Sequence, residues 1–188
     1  MSAVELEKKK QTEVVLKYSA YLKIIQTEFG KDSEQFLITS LYNEMPLRDD
    51  FQLEIVKTVA DASDDDLQYI VIPTNVKTRI TIIINKYKTA SKYGQIKETV
   101  SVALSGLIRK FIASKDRTYG DFLFGTRKQN TDFVSKMNAQ VNIKGGINLI
   151  RHMISSSFDY TAGERQALAS RMKHSPLMSL NYIRKLSE

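Results

Sequence analysis

Apolar residues at Val15, Tyr18, Leu22, Ile25 and Phe29 recur at alternating intervals of three and four, which places them on one face of a helix. The pattern predicts a long amphipathic helix over 3–29, stopped by Gly30. Asp32 followed by Gln35 has the form of a capping-box start for a second helix over 33–45, which ends at Met45-Pro46 because the residue before a proline is driven out of helical geometry. The next stretch, LRDDFQLEIVKTVAD, is expected to be helical, and ASDDD an exposed turn.

From residue 67 the pattern changes. QYIVIP and RITIIINKY are dense in β-branched residues and flank the turn-like PTNVKT, so they are expected to pair as strands; QIKETV, after a turn with Gly94, supplies a third. Helical spacing resumes in SVALSGLIRKFIAS, with Leu104, Leu107, Ile108 and Phe111. It continues over 130–141 (Phe133, Val134, Met137, Val141), over 145–157, and over 162–172 behind a capping box from Thr161 to Glu164. A short helix around Ser179–Lys185 is expected to follow. The fold class is therefore α+β, mostly α-helical with a small three-stranded antiparallel sheet. No repeat, low-complexity tract or Pro/Gly linker interrupts the chain, and 1–188 reads as a single domain.

At 188 residues such a domain buries roughly two-thirds of its unfolded surface. The absence of cysteine excludes disulfides and thiolate metal sites, and the two histidines, His152 and His174, leave little for a histidine metal cage. No run approaches the ~18 apolar residues of a membrane span, and the opening MSAVELEKKKQ lacks the apolar stretch of a signal peptide. The net charge of +7 and pI near 9.4 favour polyanionic partners, through release of the counterions condensed on phosphates. The charge is uneven: DASDDD at 61–66 concentrates acid, has neither the loop glycine nor the closing glutamate of a calcium hand, and reads as a solvated turn.

Metal-free chemistry on a phosphodiester needs a nucleophile, cations facing the oxygens that gain charge, a proton donor for the leaving oxygen, and a frame that aligns them. The chain offers Tyr182 as oxygen nucleophile, Arg48 and Arg151 as permanent forked cations, Lys88 as a mobile acid and His174 as donor or acceptor. Any chain this basic contains such types, and a tyrosine near a helix end ordinarily just packs its ring, so order and context decide. In the hairpin stretch NKYKTASKYG, strand alternation puts Lys86 and Lys88 on one face and cannot separate them, and Lys92 is also within reach.

Four stretches, in order, resemble the catalytic boxes of the tyrosine recombinases, the phage-integrase type. NLIRHMISSS resembles the Arg-His box, and MKHSPLMSLNYIRK the closing box with its histidine and nucleophilic tyrosine. LYNEMPLRDDFQLEIV is similar to the first arginine box, and NKYKTASKYGQIKETVSVAL to the β-hairpin lysine, whose Lys-Thr context selects Lys88. The interval from Arg151 to His174, 174 − 151 = 23, is the customary one. The resemblance spans 48–182, most of the chain. It implies a DNA breaking-and-rejoining catalytic domain in which Tyr182 forms a 3′-phosphotyrosyl bond. Arg48 and Arg151 would clamp the non-bridging oxygens, Lys88 protonate the leaving 5′ oxygen, and His174 hydrogen-bond the phosphate. It implies no metal and no cofactor; its partner would be double-stranded DNA, on which full-length relatives assemble as tetramers, and no membrane is involved. It places the protein wherever the target DNA lies, in host cytoplasm or nucleus if the source is viral or another mobile element. The N-terminal DNA-clamping domain that such enzymes carry has no counterpart in 1–188.

The chain departs from the family pattern in particular places. Asn148 stands where the family has a histidine or lysine three residues before the second arginine, leaving it between site member and helix filler. Lys173 replaces the recurring glycine before His174. The interval from His174 to Tyr182, 182 − 174 = 8, is one shorter than usual, and Arg48 to Lys88 is longer. Two alternatives follow: a type IB topoisomerase, which shares the fold and the catalytic set, and a non-catalytic DNA-binding relic of such an enzyme. His152 reads as a structural histidine beside the site.

Overall fold

The computed structural model describes residues 14–48, 51–125, 130–157 and 161–187. It is an α+β fold whose sheet has four strands and is mixed, not three-stranded and antiparallel as the sequence pattern predicts. The order is β1 (Val14–Val15), α1 (Tyr18–Phe29), α2 (Glu34–Glu44), β2 (Leu53–Val56), a 3-10 turn at Val59–Asp61, β3 (Gln68–Val71), β4 (Thr81–Ile84), α3 (Ala90–Tyr93), β5 (Ile96–Thr99) and α4 (Val102–Ser114). Then come α5 (Thr131–Gln140), α6 (Ile147–Ser156), α7 (Ala162–Arg171), α8 (Pro176–Ser179), a 3-10 turn at Leu180–Tyr182, and β6 (Lys185–Leu186).

The additional strand is β2, in the stretch expected to be helical. Phe51, Leu53 and Ile55 alternate with Gln52 and Glu54, and all three apolar side chains are buried: this is the period of a strand, not of a helix. β2 runs parallel to β3, with Leu53 opposite Gln68 and Val56 opposite Val71. Parallel neighbours need a crossover. That crossover is the segment carrying DASDDD, an exposed turn in which Ala62 and Leu67 cover a small second cluster of Val56, Tyr69, Val71 and Ile83. β3–β4 and β4–β5 pair antiparallel as expected. The outer edge of β2 is covered by residues 120–123, through Ile55 N–H to the Asp121 carbonyl and Leu123 N–H to the Leu53 carbonyl, both 2.8 Å.

On its main face the sheet contributes Leu53, Ile55, Ile70, Ile82, Ile84 and Ile96 to one core with the helices. Ser33, one residue beyond the expected Asp32, caps α2 by accepting from Phe36 N–H; the Thr161–Glu164 capping box of α7 is present as read. Helix α1 begins only at Tyr18 because Val14–Val15 pairs instead with Lys185–Leu186; residues 3–13 of the expected helix lie outside the described residues. A buried polar chain joins α1, α5 and the entry to α6: Tyr21 Oη donates to Asn138 Oδ1 at 2.7 Å, and Asn138 Nδ2 to the Gly145 carbonyl at 2.6 Å. The expected helix over 179–185 is one α turn and one 3-10 turn, after which the chain extends into β6. No helix among the described residues is long and apolar enough to cross a membrane.

Candidate active site

Helix α6 carries the centre of the site. Its buried face presents Ile147, Ile150, Met153 and Ile154, and Arg151 falls on the same face, four residues after Ile147 and three before Ile154. Arg151 is thereby fully buried, at 0% exposure, the largest side chain so enclosed among the described residues. A guanidinium taken from water must have its donors satisfied. Nε donates to the Pro46 carbonyl at 3.0 Å, Nη1 to Tyr182 Oη at 2.7 Å and Nη2 to His174 Nε2 at 3.0 Å, with Asn148 Oδ1 at 3.5 Å from Nη1.

These bonds settle a tautomer. Arginine only donates, so His174 Nε2 accepts and the neutral ring carries its proton on Nδ1, which is buried without a hydrogen-bond partner among the described residues. Burial first, then the positive charges of Arg151, Arg48 and Lys88, push the His174 pKa from 6.5 down to about 4. Arg48 and Lys88 also border the ring. Both line a narrow recess with His174, Leu47, Tyr87, Thr89 and Met172.

The phenol is seated from three sides. Arg151 Cζ lies 4.3 Å from the Tyr182 ring centroid, and the rings of His152 and His174 lie 5.1 and 5.5 Å away, the latter edge-on. A carbonyl only accepts, so His152 Nδ1 donates to the Tyr182 carbonyl, at 2.8 Å. His152 thus holds the backbone of the tyrosine. Beyond it, Arg184 N–H donates to Ser156 Oγ at 2.8 Å, the Arg184 guanidinium caps the carbonyls of Asn181 and Ile183, and β6 joins β1 in parallel. The eight-residue interval from His174 is spanned by an α turn and a 3-10 turn, whose rise of about 2 Å per residue against about 1.5 Å lengthens the last step.

The remaining candidates reach the site from loops. Arg48 is exposed, on the irregular segment after the buried Met45, Pro46 and Leu47, with its carbonyl accepting from Tyr42 Oη at 3.0 Å. It also borders an open cleft of about 250 Å³ with Asn148, Ser135 and the start of α6. Asn148 is exposed, one turn before Arg151. Lys88 is exposed in the β4–β5 loop, while Lys86 pairs with Asp66 and Lys92 lies over the Tyr93 ring at 5.3 Å, so of these three lysines Lys88 faces His174. Lys173, in the position of the recurring glycine, has a left-handed backbone at φ 52°.

All six sequence candidates, Arg48, Lys88, Asn148, Arg151, His174 and Tyr182, therefore surround one spot. Sequence reasoning missed the Pro46 carbonyl, Thr89, and the Ser156–Arg184 latch. Backbone acceptors leave no trace in side-chain identity, and nothing in the sequence marks Arg184. An oxyanion received by Arg151 would sit beside the Tyr182 oxygen, with Arg48 and Lys88 at hand. Neither protein-family models nor curated protein sequences give a match to this chain.

Proposed function

We propose that this chain is the catalytic domain of a tyrosine recombinase or integrase, which breaks and rejoins duplex DNA through a 3′-phosphotyrosyl intermediate. The observation that carries the reading is the double contact of Arg151, whose guanidinium donates to the Tyr182 oxygen at 2.7 Å and to His174 Nε2 at 3.0 Å. One buried cation thus touches both the nucleophile and the histidine that faces Arg48 and Lys88.

In the proposed step Tyr182 Oη attacks phosphorus and its proton passes to solvent. The bond from phosphorus to the 5′ oxygen breaks as Lys88 gives that oxygen a proton. Arg48 and Arg151 hold the two non-bridging oxygens, whose charge rises in the pentacoordinate transition state. His174 adds a hydrogen bond, and Asn148 a neutral one where a titratable group would otherwise shuttle a proton. Rejoining reverses the step, with the 5′ hydroxyl attacking the phosphotyrosine.

The test is covalent capture on a random-sequence library of nicked duplexes, from which the cut strand end is lost after cleavage. The wild-type chain is expected to give a protein–DNA adduct that survives denaturing detergent and is degraded by protease, and Tyr182→Phe none. DNA binding with no adduct would mark a non-catalytic relic. Adducts accompanied by supercoil relaxation, without strand exchange between sites, would mark a topoisomerase.

A further inference from the structure

The β4–β5 loop that carries Lys88 is closed on itself. Ala90 N–H donates to the Tyr87 carbonyl at 3.0 Å, Lys92 N–H to Thr89 at 3.0 Å and Gly94 N–H to Ala90 at 2.8 Å. Tyr87 Oη donates to the Gly94 carbonyl at 2.8 Å, and Gln95 Nε2 to Asn85 Oδ1 at 2.7 Å. A loop bonded in this way moves as a unit, so the place of Lys88 depends on what fastens the unit to the rest of the site.

That fastening is a hydrogen bond between residues distant in sequence: Thr89 Oγ1 donates to the Lys173 carbonyl at 3.2 Å, joining the residue after Lys88 to the residue before His174. Residue 173 sits at φ 52°, where the chain reverses out of α7 and sends His174 N–H back to the Ala169 carbonyl at 2.9 Å. A second tie across this seam, Lys173 Nζ to Glu98 Oε1, is loose at 3.7 Å with the carboxylate half exposed, and such pairs contribute little. The Lys88 side chain is long, exposed and rotamer-rich, so its ammonium is aimed chiefly by where its backbone is held.

We propose that Thr89 is a positioning residue that registers Lys88 against the leaving oxygen through the Lys173 carbonyl. The inference rests on the recombinase reading and on Lys88 as its proton donor. Loss of the hydroxyl frees the loop to shift, and displacements of about 1 Å cost roughly a hundredfold in rate at a site of this kind.

The experiment compares single-turnover adduct formation on two duplexes, one with the natural 5′ oxygen at the scissile position and one with sulfur in its place. A thiolate is a far better leaving group than an alkoxide and departs without a proton, so a defect confined to the proton donor disappears on sulfur. Thr89→Val is expected to slow cleavage of the oxygen duplex roughly tenfold to a hundredfold and to match wild type on sulfur. Lys88→Ala should show the same pattern more strongly, and Thr89→Ser should keep wild-type rates on both. Thr89→Val cutting the oxygen duplex at the wild-type rate would overturn the proposal. So would an equal slowing on both duplexes, which is the mark of a merely structural role. If Lys88→Ala cuts oxygen normally while Tyr182→Phe is inert, the recombinase reading stands and the role of Thr89 falls. If the wild-type chain forms no adduct with either duplex, both fall.

Discussion

The two arginines of the site are held in opposite ways. Arg151 sits on a helix, has no exposure and donates to a carbonyl, a phenol and an imidazole. Arg48 lies exposed on an irregular segment, where its backbone carbonyl accepts from Tyr42 Oη at 3.0 Å. Folding itself therefore fixes one cation, through packing and desolvated hydrogen bonds, while the other is delivered to the rim. The first is enclosed by the fold and the second stands at its surface, so the two should differ in how far stability depends on them.

Alanine at each position tests that contrast most strongly. Arg151→Ala removes the donor shared by Pro46, Tyr182 and His174, and is expected to abolish adduct formation and to destabilise the fold by about 3 kcal/mol, a fall in Tm of roughly 6–12 °C. Arg48→Ala should slow cleavage by roughly a hundredfold or more, with Tm unchanged to within about 2 °C. Thermal melts beside single-turnover cleavage check both, and comparable losses of Tm in the two variants would erase the contrast.

His174 reports on both arginines. With its pKa lowered from 6.5 to about 4, the unfolded chain takes up a proton that the folded chain resists across that interval. Its contribution to stability is complete above pH 6.5 and is lost as pH falls toward 4. His174→Asn is expected to flatten that part of the stability–pH curve. A duplex phosphate among Arg48, Lys88 and Arg151 would substitute attraction for repulsion and move the titration upward. NMR of the imidazole protons, with and without DNA, measures this; a midpoint near 6.5 in the free protein would contradict the described packing.

The smallest effect belongs to Lys173. A side chain at φ 52° strains the backbone by about 1 kcal/mol relative to glycine, and the half-exposed pair with Glu98 offsets little of it. Lys173→Gly is expected to raise Tm by about 1–3 °C, leaving cleavage intact because the carbonyl that receives Thr89 remains. A lower Tm would show that the ion pair matters more than the strain.

Much of this was legible because helices announce themselves locally. The three-and-four spacing around α4, α5 and α6 and the Thr161–Glu164 box each depend on residues within two turns of one another. β2 was obscured because Phe51, Leu53 and Ile55 follow an acidic pair and precede a helix-like KTVAD, so five residues of alternation were outweighed by their surroundings. At the site, side-chain identity and order were enough to nominate Arg151, His174 and Tyr182, which touch directly. Parity could not separate Lys86 from Lys88, which are two residues apart, and both lie past the end of β4, where alternation no longer applies. Nor did the sequence disclose that Thr89 meets residue 173, because contacts between distant loops have no periodic signature.

The pairing of β1 with β6 has a further consequence for the order in which the molecule assembles. Val14 pairs with Lys185 and Val15 with Leu186, so this pairing joins the two ends of nearly the whole described chain, a highly non-local contact that forms more readily once the chain between them has condensed. Tyr182, just upstream of that clasp, is therefore expected to reach its final seat only after the elements between the two ends have packed.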